Sequence, residues 1–354
     1  MKPLLIFFLT GTSPPGAHHF RRLSPLASSA AGQLTFADAA RAAGILLATA
    51  AALWTVFIFI PCLIAFFFVF GRAKDRRRDR EYLAGTYFAP YAVRLLSDAG
   101  KLSELGGVNV TARSRSGPEL SGLYIPSPDA DQGHEKIMLI VHGYRADPTF
   151  IMAPQALFFR EQGWSLLFPR LRAHGGSGGR FTSLGIREAD DLLGWTDWAA
   201  AAHPGAKLCI YGQSMGAAAA AFAADRLTPD RVSGIIADSP FPSPVCQVIR
   251  MAGALHLPRR LIVPAVRLIG RVFLHADIAS TAEPALEKAS VPMLFIRGER
   301  DSTVSRSDTE SMYFACASEK RFVTVPGAEH TLAFIAGGDM IKSEITEFTG
   351  NCVG

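Results

Sequence analysis

The longest departure from an alternating polar and apolar pattern is the run 42–71, thirty positions without one charged side chain. From Gly44 to Phe70 it reads GILLATAAALWTVFIFIPCLIAFFFVF. Roughly 20 apolar residues suffice for a helix to cross a bilayer, so the run predicts a single transmembrane helix over 42–71. Pro61 predicts a kink, tolerated because neighbouring groups satisfy the carbonyl that it orphans. Beyond a basic juxtamembrane and helical linker (72–104), short apolar runs at 108–113, 120–125, 137–141, 165–168, 208–211, 234–237, 293–296 and 322–325 alternate with amphipathic stretches such as 186–202 and 215–226. Strands alternating with helices predict an α/β domain over 105–354, an eight-stranded and mostly parallel sheet covered by helices on both faces. The stretch 241–290, broken by Pro258 and Pro264, holds two or three helical patterns and no strand, and reads as a lid. Residues 1–41 read as a disordered N-terminal segment. Their opening, MKPLLIFFLT, resembles the start of a signal peptide with a very short apolar core before Pro14 and Pro15, so a cleaved signal followed by a second span stays open.

Charge changes this picture by its location. The net formal charge is +5, yet residues 1–81 hold ten Lys or Arg and four Asp or Glu, which leaves 26 basic and 27 acidic residues for the remainder. The near-neutral domain offers no basic surface for nucleic acid. The excess lies at Arg72, Lys74, Arg76, Arg77, Arg78 and Arg80, with Arg41 close on the other side, so the positive-inside rule puts the C-terminal domain in the cytoplasm. Five dispersed cysteines without CxxC spacing argue against a disulfide framework, and no metal-ligand cluster appears. No cofactor is expected, and nothing in the sequence sets an oligomeric state.

The chemistry centres on Gly212-Gln213-Ser214-Met215-Gly216, which follows the strand LCIY and precedes the helix MGAAAAAFAADRL. A GxSxG motif between strand and helix is a nucleophile elbow, a sharp turn that exposes the serine and leaves no room for side chains at the flanking glycines. A serine hydroxyl needs a base oriented by a carboxylate, and in such folds these follow in the order Ser, Asp or Glu, His. Asp301 comes just after the strand MLFI, and His330 just after the strand FVTV. Asp238, ending the strand GIIA, is the rival acid. Glu299 and Glu329 are expected to face solvent, and His142 and His174, in glycine turns, to position backbone. The oxyanion donors are assigned to the main-chain N–H groups of Met215 and Tyr144.

These segments resemble the α/β-hydrolase superfamily, and within it the membrane-anchored bacterial serine hydrolases of the serine aminopeptidase-like and BEM46-like type. The likeness rests on His142-Gly143-Tyr144, Leu171-Arg172-Ala173-His174-Gly175-Gly176-Ser177, Tyr211-Gly212-Gln213-Ser214-Met215-Gly216, Ala237-Asp238-Ser239-Pro240-Phe241, Gly298-Glu299-Arg300-Asp301 and Gly327-Ala328-Glu329-His330, and covers roughly 105–350. Arg170 departs from it, because an aspartate commonly stands there. The resemblance implies a cofactor-independent enzyme of a bacterial inner membrane acting on an ester, thioester or amide. The tether and the apolar lid favour a small-molecule or lipid-like acyl substrate bound in an ester or thioester. A peptidase or amidase, with acidic groups holding a free amine, is the alternative, and a non-catalytic membrane scaffold is a third reading.

Overall fold

The computed structural model describes residues 35–72, 80–128, 135–254, 256 and 258–353. α1 (Phe36–Trp54), a π-helical turn (Thr55–Phe59) and α2 (Ile60–Phe70) form one 35-residue helix, long and apolar enough to cross a membrane. The helix starts at Phe36 rather than 42, so residues 36–41, expected to be disordered, are helical; the rest of that expectation lies outside the described residues. A reciprocal cap fixes this start. Thr35 Oγ1 accepts from the Asp38 N–H at 3.2 Å, and Asp38 accepts from the Thr35 N–H at 3.2 Å. Reading the boundary from the first uncharged residue missed it, because Asp38 and Arg41 are compatible with a first helical turn. The π turn explains how Pro61 is accommodated: the chain widens just ahead of it, and the Ile60 N–H reaches back to the Thr55 carbonyl.

The expected linker helix is split by Gly85 and Pro90 into α3 (Arg80–Ala84) and α4 (Ala92–Glu104), joined through a 3₁₀ turn at Ala89–Tyr91. The strands are β1 (Val108–Arg113), β2 (Glu119–Ile125), β3 (Lys136–Val141), β4 (Ser165–Pro169), β5 (Lys207–Gln213), β6 (Gly234–Asp238), β7 (Met293–Gly298) and β8 (Lys320–Val325). They form one sheet in the order β1-β2-β4-β3-β5-β6-β7-β8, with β1 and β2 antiparallel to their neighbours and the other six strands parallel. The central strands are buried on both sides, which is why they read as continuous apolar runs. Between them lie α5 (Pro148–Ile151), α6 (Ala153–Glu161), α7 (Glu188–Ala202), α8 (Met215–Phe222), α9 (Pro244–Ala254), α10 (Arg259–Phe273), α11 (Glu283–Leu286) and α12 (Arg306–Ala315), and the chain ends with α13 (Ala333–Ala336) and α14 (Gly338–Val353). One face of the sheet packs against Trp195, Met215, Val266 and Met312, the other against Leu95, Phe159, Phe334 and Ile345.

The end of the apolar helix belongs to this core. Phe66 and Phe70 are buried, and Phe66 lies 5.4 Å from the Phe181 ring and 5.5 Å from Phe273 of α10. The last carbonyls of a helix have no partner within it. Here the Phe68 carbonyl accepts from Arg145, the Val69 carbonyl from the Tyr144 hydroxyl and the Phe70 carbonyl from the Thr182 N–H. The helix is thereby docked onto the loops that follow β3 and β4.

Candidate active site

Ser214 caps α8 directly after β5 with φ 54° and ψ −111°, a conformation in which a non-glycine residue is strained. Two glycines make the turn possible. A Cβ on Gly212 would lie 2.8 Å from the Ala217 nitrogen, and one on Gly216 only 2.3 Å from the Val141 carbonyl oxygen. The Ser214 N–H donates to the Asp238 carbonyl at 2.8 Å, tying the apex to β6.

Asp301 and His330 reach this serine from the carboxyl ends of β7 and β8. The two loops cross closely, since a Cβ on Gly298 would sit 2.3 Å from the Ala328 oxygen. Asp301 Oδ1 accepts from the N–H groups of Thr303 and Val304 at 2.9 and 2.7 Å, leaving Oδ2 to meet His330 Nδ1 at 2.8 Å. With a carboxylate at Nδ1, that nitrogen carries the proton and Nε2 is the acceptor. Nε2 lies 2.9 Å from Ser214 Oγ. The Asp301 and His330 side chains are 1% and 6% exposed, so the chain of hydrogen bonds is largely shielded from water. Gln213 Nε2 donates to the Thr331 carbonyl at 3.0 Å and pins the histidine loop to the elbow.

Asp238 lies elsewhere. Its buried carboxylate accepts from the Tyr211 hydroxyl at 2.9 Å and the Ser239 hydroxyl at 3.0 Å, and burial raises its pKa above the usual carboxylate range. Glu299 is exposed and accepts from the Gly327 N–H at 2.8 Å. Glu329 is half-buried rather than fully solvent-facing and accepts from Ser302 Oγ at 3.1 Å. His142 and His174 both brace backbone. His142 Nδ1 donates to the Gly143 carbonyl at 2.7 Å while its Nε2 accepts from the Leu171 N–H at 3.1 Å. His174 repeats the pattern, donating to the Arg172 carbonyl at 2.8 Å and accepting from the Arg145 N–H at 3.1 Å. Burial holds both rings neutral, with the pKa of His142 pushed down to about 3. They fasten the loop carrying Gly143 and Tyr144 to the loop after β4. Arg170 lies over Gly175, where a Cβ would be 2.4 Å from its guanidinium, and approaches Asp147 at 3.9 Å.

Ser214 and His330 open onto a cavity of about 580 Å³. Its walls are mostly apolar, including Val69, Phe88, Phe241 and Met251, and Tyr144 and Tyr87 face it too. Arg145 and Arg250 are its charged lining residues, and no Asp or Glu lines it among the described residues. Sequence reasoning missed Val69, Tyr87 and Phe88. The only signal was their apolar character beside the membrane-flanking segment.

Residues 132–276 match the family model described as serine aminopeptidase, S33. An uncharacterized protein of Mycobacterium tuberculosis, Rv2307c, is 28% identical over 250 residues, 68% of this chain and 79% of that protein. The uncharacterized protein YqkD of Bacillus subtilis is 27% identical over 245 residues, 67% of this chain and 77% of its own. Among solved structures, the Pyrococcus furiosus esterase Pf2001 superposes with a TM-score of 0.57 at 24% identity, covering 71% of this chain and 96% of the esterase. A bacterial membrane phospholipase A superposes with a TM-score of 0.50 at 20% identity, covering 75% of this chain and 93% of its own.

Proposed function

We propose that this chain, which has the α/β-hydrolase fold, is a membrane-anchored serine hydrolase that cleaves a carboxylic ester or thioester through an acyl-enzyme at Ser214. The observation that carries the reading is the continuous relay from Asp301 through His330 to Ser214, with contacts of 2.8 and 2.9 Å. His330 Nε2 takes the Ser214 proton as Oγ attacks the acyl carbon, and returns it to the departing alcohol or thiol. Asp301 holds the Nδ1–H tautomer and stabilises the imidazolium. The tetrahedral oxyanion is met by the main-chain N–H groups of Met215 and Tyr144, each worth about 3 kcal/mol at the transition state. Water, activated by the same histidine, then releases the acid.

The pocket supports an ester or thioester over a peptide with a free amine. An aminopeptidase needs a carboxylate for the substrate's ammonium group, and the charged lining residues here are arginines. Asp238 and Glu299, the acids considered for that role, are absent from the lining. The proposed anchor is α1 to α2, and the basic run after Arg72, most of it outside the described residues, supports a cytoplasmic domain by the positive-inside rule.

A fluorophosphonate probe tests the reading. Labelling is expected in the full chain and lost in Ser214→Ala; no labelling of the wild type, or equal labelling of the variant, sinks it. In a chain-length series of p-nitrophenyl esters run beside aminoacyl amides, the esters are expected to be turned over faster. Protease protection in sealed vesicles tests the side: cleavage of the domain from the outer face contradicts a cytoplasmic location.

A further inference from the structure

α10 lies along the C-terminal half of the apolar helix. The Trp54 indole N–H donates to the Leu261 carbonyl at 3.2 Å near one end, and Phe273 meets Phe66 and Phe67 at 5.5 and 5.3 Å near the other. Part of the outward surface of both helices is apolar as well, although on α10 it is shared with Arg267 and Arg271, which pair with Asp277. On the first, Phe57 and Phe68 are 68% and 73% exposed; on α10, Leu268 and Val272 are 49% and 57% exposed. Several large apolar side chains exposed on two packed helices are uncommon on a protein bathed only in water. Arg259 and Arg260 stand exposed at the N-terminal end of α10 and make no ion pair among the described residues. An exposed apolar face beside free basic residues is the pattern of a helix lying in a membrane interface over anionic headgroups. The patch also adjoins the chemistry, because Val69, the neighbour of Phe68, forms one wall of the cavity that holds Ser214, and Met251 of α9 forms another.

We propose that the seam of α2 and α10 is seated in the surface of a bilayer bearing anionic headgroups, and that the acyl substrate is a lipid of that bilayer, entering past Val69 and Met251. Continuity with the apolar helix identifies the occupant. A bilayer core takes up roughly 20 helical residues, whereas this helix has 35, so its final turns and the helix packed on them emerge at the headgroup level. The substrate class rests on the serine-hydrolase reading; the membrane seat does not.

Two measurements on the full chain separate these claims. For the seat, Ser214→Ala protein is reconstituted in vesicles of phosphatidylcholine and phosphatidylglycerol containing a phosphatidylcholine with a diazirine in its acyl chain. Photo-crosslinks mapped by mass spectrometry are expected within residues 259–273. Crosslinks confined to residues 36–52 overturn the seat. For the route, 4-methylumbelliferyl oleate dissolved in the same vesicles is compared with water-soluble 4-methylumbelliferyl acetate. Leu268→Glu with Val272→Glu is expected to lower turnover of the oleate about tenfold while acetate turnover stays within about twofold. An equal loss on both esters, or no loss on the oleate, overturns the route. If the wild type hydrolyses neither ester and escapes fluorophosphonate labelling, the hydrolase reading falls and the route with it, while the crosslinks still decide the seat.

Discussion

The phenolic hydroxyl of Tyr144 donates to the main-chain carbonyl of Val69. One hydrogen bond thus joins the residue whose N–H is proposed to receive the oxyanion to the last turn of the apolar helix. Tyr144→Phe removes the donor, leaves the ring against the cavity and orphans a carbonyl at the helix end. The expected cost is about 1 kcal/mol of stability, read by chemical denaturation in detergent, with a matching fall in kcat for a short-chain ester. Unchanged values in both assays would separate the helix end from the oxyanion loop.

Substitutions in the relay have graded expectations. Asp301→Asn preserves shape but favours the wrong histidine tautomer, and a loss of about 10⁴ in kcat is expected. Asp238→Asn touches a carboxylate bonded to Tyr211 and Ser239, so its main effect is expected on stability. Steady-state kinetics of the two variants decides between the acids: if Asp238→Asn gives the larger kcat loss, the relay is misassigned.

The glycines give a steric test. Gly216→Ala forces a Cβ to 2.3 Å from the Val141 carbonyl oxygen, a contact that only backbone movement relieves, whereas a Cβ on Gly143 meets its nearest neighbours at 3.4 Å. Gly216→Ala is expected to yield little folded protein and Gly143→Ala a folded one, as judged by size-exclusion profiles and thermal melts.

Much of this was legible from sequence, for a physical reason. A strand buried on both faces reads as a short apolar run, so the eight strands could be found without knowing their neighbours. Ser214, Asp301 and His330 stood out because each follows such a run within a few residues. The acid was ambiguous: Asp238 and Asp301 both end parallel strands, and only the loop path after β7 brings one of them to the imidazole. The walls of the cavity were hidden for a different reason. Lipid and protein interior select the same side chains, so hydropathy could not tell that Phe66 and Phe70 face the domain while Phe68 faces outward, or that Val69 reaches the pocket. Tyr87 and Phe88 sit in a linker whose break at Gly85 and Pro90 could be foreseen, but whose approach to the site depends on tertiary packing.

Acid sensitivity follows from His142. Its folded pKa, about 3, lies below the value near 6.5 for an unfolded histidine. The unfolded chain therefore binds a proton that the folded chain refuses. Stability from this group is complete above about pH 6.5 and is lost as pH falls toward 3, at up to about 1.4 kcal/mol per pH unit. In urea titrations His142→Gln is expected to show a shallower decline between pH 6 and 4 than the wild type; parallel declines would remove His142 as the source.

Phe66 tests how firmly the helix is docked. It is buried beside Phe70, Phe181 and Phe273, and Phe66→Ala is expected to cost about 3 to 5 kcal/mol. Phe68→Ala, on the outward side, is expected to cost much less. Thermal melts of the two variants in one detergent make the comparison, and equal losses would argue that the helix is not packed on the domain.

The contribution of Val69 to the cavity wall and of its carbonyl to the Tyr144 contact has a consequence for how such a protein could be released or engineered. Cutting the domain free downstream of Val69 and washing away the helix would not yield a soluble form of the same catalyst. It would remove one wall of the cavity that holds Ser214 and uncover Phe181 and Phe273. Cleavage downstream of Val69 is therefore expected to abolish turnover, and a soluble version requires a replacement for the helix's final turns rather than a shorter chain.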